Sequence, residues 1–161
     1  MARYALLAAA SLLLMAATEA PRLPPGQATP MAAPYDTQAD AHAQVAAAFA
    51  RAKKTGHLVL LDFGGNWCPD CRMLAGVLDM PQVKAWTAGS YETVLVDVGR
   101  ENKNMDIAAS YGVKIHAVPT VLMITPDGKL LNRDNVFALA DARGLSAQAV
   151  VDVLAAGSGG K

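Results

Sequence analysis

Apolar residues along positions 37–157 follow two alternating patterns, one typical of helices and one typical of buried strands. Helical spacing begins near Thr37 and continues to about Ala52, and Gly56 is placed to end that helix. Nearly continuous apolar runs predict three central strands, over residues 58–63, 93–98 and 119–124. Further helices are predicted from near Cys68 and over residues 81–86, 102–111 and 146–156.

A turn signal and the element order complete the fold prediction. The segment Pro126-Asp127-Gly128 follows the third strand and favours a tight turn into a hairpin partner over residues 129–132. The predicted order is therefore α-β-α-β-α-β-β-α. We expect an α/β domain over residues 37–157, with a mixed sheet between helices.

The first twenty residues have the pattern of a targeting segment. Arg3 precedes an apolar run over residues 5–17, which contains a single polar residue, Ser11. A run of 13 residues is short for a bilayer span at about 1.5 Å per residue. A basic start followed by a short apolar core is typical of a secretory signal peptide. We therefore expect residues 1–20 to be a cleaved signal peptide of an exported, periplasmic or otherwise extracytoplasmic protein. A retained N-terminal anchor is the alternative.

Residues 21–36 separate this segment from the predicted domain. They contain five prolines and show little periodic hydrophobicity. Proline lacks an amide donor and favours extended chain, so the composition predicts a linker that acts as a spacer. Residues 158–161 are predicted to be a flexible tail.

Composition narrows the classes of function. The chain has 161 residues, with 14 basic and 14 acidic side chains and no block of either sign. Nucleic-acid binding needs a basic face to displace counterions, so we expect no nucleic-acid partner. An apolar content of 53% is well above that of a disordered chain. Two cysteines allow at most one intramolecular disulfide.

The candidate chemistry lies in the segment Trp67-Cys68-Pro69-Asp70-Cys71. Cysteines at positions i and i+3 on the first turn of a helix bring their sulfurs close enough to bridge. Cys68 lies where unpaired amides and the positive end of the helix stabilise an anion, which favours the nucleophilic thiolate. Cys71 lies one turn further in, where it is shielded and can act as the resolving thiol.

Two other interpretations of the cysteine pair stay open at this point. Zinc sites use the same spacing, although the chain has no second pair and only three histidines to complete four ligands, His42, His57 and His116. A purely structural disulfide is the other, although so small a loop constrains the unfolded chain little.

The segment around the cysteines resembles the thioredoxin superfamily. Residues 62–71 read DFGGNWCPDC and reproduce that superfamily's Asp-Phe-x-x-x-Trp-Cys-x-x-Cys pattern. Val118-Pro119-Thr120 matches the family's later strand, which opens with a cis-proline that sits against the cysteines. The interruption at residues 79–83 is similar to that of exported thioredoxin-like proteins. The resemblance implies a thioredoxin fold, with a central mixed sheet flanked by helices on both faces.

The resemblance also implies roles for individual residues. Cys68 would be the nucleophile, Cys71 the resolving cysteine, and Asp62 the buried acid that exchanges a proton with Cys71. Trp67 would form a wall beside the thiolate. Val118 and Pro119 would bind substrate by keeping a groove open and offering backbone groups to a bound peptide. His116 is a further candidate for this groove, although a surface loop histidine is the simpler interpretation.

Three departures from the family pattern change the expectations. The lysine that many thioredoxins place near the buried acid corresponds to Thr93 or a neighbour. The segment over residues 114–117 is about two residues longer than usual. Asp70 lies beside Cys68, where its charge opposes the thiolate and favours the disulfide, so we expect a reducing or mildly oxidising couple.

These expectations combine into one predicted function with two alternatives. We expect a protein-disulfide oxidoreductase that exchanges its Cys68–Cys71 pair with protein or small-molecule disulfides and acts as a monomer. In an oxidising compartment a reductase would need a membrane-bound electron donor. No cofactor is expected, because Gly64-Gly65 lacks the spacing of a dinucleotide-binding fingerprint. The alternatives are a copper-binding chaperone that uses Cys68, Cys71 and His116, and a non-catalytic interaction module with an inert disulfide.

Overall fold

The computed structural model describes residues 19–158, which form five α-helices and three strands. In chain order these are α1 (Ala41–Thr55), β1 (Leu58–Gly64), α2 (Pro69–Leu78), α3 (Pro81–Ala88), β2 (Tyr91–Asp97), α4 (Met105–Ala109), β3 (Thr120–Ile124) and α5 (Ala147–Gly157). The predicted signal peptide lies outside the described residues except for its last two positions. The predicted tail lies outside them except for Ser158.

The three strands form one mixed sheet in the order β2-β1-β3. Strand β1 pairs with β2 in parallel, so that Asp62 lies opposite Leu95. It pairs with β3 antiparallel, so that Asp62 also lies opposite Val121. The central strand is almost wholly buried, as its apolar run predicted.

Helices cover both faces of this sheet, as predicted. Leu61 and Phe63 of β1 pack with α1 and α4 in one apolar core. Leu60 points to the opposite face and packs with α2, α3 and α5 in a second core. Because side chains alternate along a strand, Asp62 lies on the same side of β1 as Leu60, which is the side that α2 covers.

Several element boundaries differ from the predicted ones for local reasons. Helix α1 begins at Ala41 because the Asp40 side chain accepts a hydrogen bond from Ala43 N, and this cap replaces the predicted one near Thr37. Gly56 ends that helix with φ 77°, as predicted. Helix α4 is shorter than predicted because Asn104, at φ 55°, donates a side-chain hydrogen bond to the Asp97 carbonyl.

The predicted hairpin partner at residues 129–132 is wrong as a strand. The turn forms and is followed by two backbone hydrogen bonds, from Thr125 N to Lys129 O and from Leu131 N to Met123 O, but the pairing stops at an isolated bridge between Leu130 and Ile124. Asn132 is buried, and its side chain accepts a hydrogen bond from Met123 N and donates one to Val121 O, both at 2.8 Å. The asparagine side chain thus takes over part of the edge of β3 where a longer fourth strand was expected, and the chain turns into a short 3-10 helix over Arg133–Asn135.

Residues 19–36, called the N-terminal strap below, differ from the predicted spacer. They have no helix or strand, in agreement with their proline content, but they are docked on the domain. Leu23 N donates to Gln148 Oε1 on α5 at 2.6 Å, and Met31 exchanges backbone and side-chain hydrogen bonds with Arg72 on α2. Tyr35, the second-last residue of the strap, is 2% exposed. A segment predicted to be a spacer therefore contributes a buried side chain to the domain.

Candidate active site

The two cysteines occupy the first turn of α2 and form a disulfide. Cys68 is the N-cap residue, with extended backbone angles, and its Sγ accepts a hydrogen bond from Cys71 N at 3.1 Å. Pro69 follows at the first helical position, where its missing amide costs no hydrogen bond. The cysteine Cα atoms are 5.3 Å apart, and the side chains are 3% and 0% exposed. Cys68 therefore lies at the positive end of a helix, next to an amide donor that can stabilise its thiolate.

The loop before β3 lies against the first cysteine. The peptide bond between Val118 and Pro119 is cis, and Cys68 Sγ lies 3.6 Å from the Val118 carbonyl oxygen. Thr120 Oγ1 donates to Ala117 O at 2.6 Å, which closes the turn that leads into β3. The structure thus places the Val118–Pro119 peptide beside the cysteine pair, at the position that the family resemblance implied.

Asp62, on the central strand β1, lies beneath the cysteine pair and is completely buried. Burial raises the pKa of its carboxyl to about 7, although a hydrogen bond from Tyr35 acts in the opposite direction. That bond joins Tyr35 Oη to Asp62 Oδ2 at 3.1 Å. Among the described residues, no group hydrogen-bonds the other oxygen, Oδ1. Such a carboxyl can hold or release a proton near neutral pH.

Tyr35 is the residue of the site that the sequence analysis missed. Its backbone is fixed by two hydrogen bonds of 2.9 Å with the Asn66 side chain, one donated in each direction. Its side chain forms a small buried cluster with Cys68 and Cys71. The one signal in the sequence was an aromatic residue within a proline-rich stretch, and the predicted spacer gave it no role.

Gly64 has no side chain and therefore lets Tyr35 of the strap approach β1 and Cys71 closely. A Cβ at this position would overlap the Tyr35 hydroxyl and would lie 2.8 Å from Cys71 Sγ. The Tyr35 hydroxyl and the Cys71 sulfur therefore border the same small space, which only a residue without a side chain leaves open.

Trp67 lies on the outer side of the pair and is 41% exposed. Its indole Nε1 donates to Gly99 O at 2.5 Å, and the Arg100 guanidinium lies 5.2 Å from the centre of the ring. These contacts fix the indole at the surface, one residue before Cys68.

The charge of Asp70, predicted to oppose the Cys68 thiolate, is paired with the Arg143 guanidinium. Asp70 accepts hydrogen bonds from Arg143 N at 2.9 Å and from Arg143 Nε at 3.1 Å. Partial burial raises the pKa of Asp70, but these bonds and the guanidinium charge outweigh it, and the pKa lies below its ordinary value. The carboxylate is therefore ionised, but much of its field at Cys68 is offset by a cation that lies 73 residues further along the chain.

Two further predictions concern the β2 residue near the buried acid, expected at Thr93 or a neighbour, and His116, a candidate for the substrate groove. Leu95, two positions after Thr93, lies opposite Asp62, so the residue facing the buried acid from β2 is apolar. The His116 ring packs on Phe137 with centroids 4.0 Å apart. Within residues 19–158, no three His, Cys, Asp or Glu side chains are grouped closely enough to hold a metal ion.

Comparisons with known proteins agree with this geometry. Residues 40–126 match the family model described as thioredoxin-like. A solved structure, the disulphide isomerase from Xylella fastidiosa Temecula1, is 39% identical with a TM-score of 0.72, and the match covers 76% of this chain and 95% of that one.

Curated relatives match over shorter stretches. Thioredoxin H4 of Arabidopsis thaliana is 31% identical over 46% of this chain and 56% of its own length. A thioredoxin of Borreliella burgdorferi is 33% identical over 44% of this chain and 54% of its own. The chain therefore spans about half the length of these two relatives. The family model and the similarity to the Xylella structure carry the assignment: the chain belongs to the thioredoxin-like family.

Proposed function

We propose that this protein is a thiol-disulfide oxidoreductase that exchanges its Cys68–Cys71 pair with the disulfides of proteins or small molecules. The observation that carries the proposal is the position of Cys68 as the N-cap of α2, with its sulfur bonded to an amide and facing the Val118 carbonyl. The similarity to a disulphide isomerase over most of its chain supports the same chemistry.

The exchange proceeds in two steps when the protein acts as a reductant. The Cys68 thiolate attacks one sulfur of a substrate disulfide, forms a mixed disulfide and releases the other substrate sulfur as a thiolate. Cys71 then gives its proton to a base and attacks Cys68 Sγ. The Cys68–Cys71 bond forms, the second substrate sulfur leaves as a thiolate that takes a proton from solvent, and two electrons have moved to the substrate.

Reduction or mild oxidation is the proposed direction, because an ionised Asp70 lies beside Cys68. A negative charge there disfavours the Cys68 thiolate and therefore favours the disulfide form. The Arg143 cation limits this effect to a fraction of one screened charge. About 30 mV corresponds to 1.4 kcal/mol in a two-electron couple, so the effect on the reduction potential is tens of millivolts at most.

We further propose that the protein works outside the cytoplasm and receives electrons from a membrane-bound donor. The support is the signal-like pattern of residues 1–20 together with the need of any reductase for electrons in an oxidising compartment. Within the part of the chain that the structure describes, none of the helices has the length and apolar character needed to cross a bilayer. N-terminal sequencing of the protein recovered from cell fractions tests the cleavage and the compartment together.

Trapping with Cys71→Ala tests the activity. This variant keeps the nucleophile but cannot complete the exchange, so it should accumulate mixed disulfides with its substrates in whole cells. The matched control, Cys68→Ala, keeps a buried thiol that has no access to substrate and should trap nothing. Equal capture by the two variants, or failure of the wild-type protein to reduce insulin with dithiothreitol, contradicts the proposal.

A further inference from the structure

The N-terminal strap delivers a hydroxyl to the buried acid of the site. Tyr35 Oη donates to Asp62 Oδ2 at 3.1 Å, and this bond joins residues that are 27 positions apart. The Tyr35 backbone is held by Asn66, which lies two residues before Cys68. The strap is thus fixed to the turn that carries the cysteines, and not only to the outer helices.

The surroundings of Asp62 leave Tyr35 as its one described hydrogen-bond partner. From β2 and β3 the facing residues, Leu95 and Val121, are apolar. From α2 the ionisable side chain next to the Tyr35 hydroxyl is Cys71. The negative charge of Asp97, at the end of β2, contributes to the raised pKa of Tyr35. Asp97 Oδ2 in turn accepts a hydrogen bond from Lys103 Nζ at 3.4 Å.

We propose that Tyr35 is a positioning residue for the resolving step: its hydroxyl holds the Asp62 carboxylate through Oδ2 and leaves Oδ1 to receive the proton of Cys71. This inference rests on the proposed function. It makes the strap a working part of the active site, because without the strap the carboxylate has no described partner to orient it.

The Cys71 proton passes to Asp62 and from there to solvent. In the mixed disulfide, the Cys71 thiol loses its proton to Asp62 Oδ1, directly or through one water, and the carboxyl becomes neutral. The resulting thiolate attacks Cys68 Sγ, and the substrate sulfur leaves. Asp62 later returns the proton to solvent. Throughout, the Tyr35 proton stays on its own oxygen, because burial and the nearby acids hold the pKa of Tyr35 well above its ordinary value.

The Tyr35 bond also sets the pH at which the base is available. Burial raises the pKa of Asp62 to about 7, and the hydrogen bond from Tyr35 keeps it from rising further. Loss of the hydroxyl is therefore expected to raise this pKa, so that less of the carboxylate is ionised at neutral pH.

The test compares Tyr35→Phe with Tyr91→Phe. Tyr91 is also buried, but its hydroxyl donates to the Leu154 carbonyl in the core between the sheet and α5. Both substitutions remove one buried hydroxyl, and only Tyr35→Phe removes it from Asp62. In the oxidised full chain neither cysteine titrates, so carbon NMR of the Asp62 carboxyl follows this group alone. Tyr35→Phe should raise the midpoint by about one pH unit, and Tyr91→Phe should leave it unchanged.

The kinetic measurement is the pH dependence of insulin reduction by the full chain. In Tyr35→Phe the rise in rate with pH should move upward in parallel with the Asp62 midpoint, and the rate at pH 7 should fall about 3- to 10-fold. Asn66→Ala, which frees the Tyr35 backbone and keeps its hydroxyl, should shift both midpoints in the same direction by less. Urea unfolding of each variant checks that it is folded.

The two levels of proposal fail in different ways. A wild-type protein that reduces no disulfide contradicts the proposed function, whatever the titration of Asp62 shows. An active wild-type protein whose Asp62 midpoint and pH profile are the same in Tyr35→Phe contradicts the role of Tyr35 and leaves the proposed function standing. Equal shifts in Tyr35→Phe and Tyr91→Phe also contradict it, because they would reflect a general loss of packing.

Discussion

Two carboxyl groups lie near the cysteine pair, one in the interior and one near the surface. Their pKa values are shifted in opposite directions. Asp62 lies below the pair, fully buried, with one neutral hydrogen-bond donor. Asp70 lies beside the pair near the surface, bonded to a guanidinium and a backbone amide. Burial raises the pKa of Asp62, whereas Arg143 brings that of Asp70 below its ordinary value in spite of partial burial.

This contrast shows that position relative to the sheet and the strap, not residue type, decides what each acid can do. The interior acid can exchange a proton near neutral pH and is suited to serve Cys71. The surface acid stays ionised and can act only through its field on Cys68. Changes at Asp62 should therefore act on pH-dependent stability and on the resolving step, whereas changes at Asp70 should act on the reduction potential.

The largest expected effect is on stability as a function of pH. The pKa of Asp62 is higher in the folded protein than in the unfolded chain, so its contribution is fully present below pH 4 and is lost as pH rises through about 7. At about 1.4 kcal/mol per unit, the loss is on the order of 4 kcal/mol. Urea unfolding of the oxidised protein at pH 5 and pH 8 measures the part of this loss that falls between those two values, on the order of 3 kcal/mol.

Asp62→Asn is the matched variant for this measurement. It cannot ionise, so the difference in unfolding free energy between pH 5 and pH 8 should shrink by most of that amount. Asp70→Asn should not reduce the difference, because a carboxyl with a lowered pKa affects stability only at acid pH. The same pH dependence in wild type and Asp62→Asn would show that the buried carboxyl does not titrate in this range.

The second effect is on the rate of the resolving step. Asp62→Asn removes the base proposed for Cys71 and should slow the reduction of insulin at pH 7 by about 100-fold. Raising the pH should recover part of the rate, because Cys71 then ionises without help. Asp70→Asn should change the rate by less than about threefold, since it leaves the base in place. Comparable losses in the two variants would contradict the division of roles.

Local patterns were enough to predict much of this site. The strand over residues 58–63, the turn and the helix with both cysteines are consecutive in sequence, so spacing and caps determine them. The placement of Val118 and Pro119 against Cys68 came from the resemblance and not from the residues alone. The roles of these residues stay predictions until the variants are measured.

The contacts that local patterns did not predict join distant parts of the chain. Tyr35 reaches Asp62 from a segment whose prolines indicate extended chain but not where that chain docks. Arg143 reaches Asp70 across 73 residues from a short 3-10 helix over Ala142–Gly144. Asn132 replaced a predicted strand through a side-chain bond that no periodicity encodes. These contacts depend on the finished packing, and those of Tyr35 and Arg143 act on the pKa values of Asp62 and Asp70.

The third effect concerns the contact between the strap and the cysteine turn. Gly64→Ala places a Cβ against the Tyr35 hydroxyl and Cys71 Sγ and should lower the unfolding free energy by about 2 kcal/mol. In a Tyr35→Ala background both the hydroxyl and the ring carbon Cζ that the new Cβ would overlap are absent, so the same substitution should cost less. A double-mutant cycle in urea measures this difference. Additive costs would mean that the strap does not press on Gly64 in solution.

The smallest expected effect is on the reduction potential and belongs to the surface acid. Arg143→Met removes the guanidinium but keeps the backbone amide that donates to Asp70. The less compensated carboxylate should disfavour the Cys68 thiolate and make the potential more negative by about 10–30 mV, measured against glutathione. Arg143→Met in an Asp70→Asn background should have no effect, and high salt should weaken the shift. A shift to a more positive potential would mean that Arg143 acts on Cys68 by a route other than Asp70.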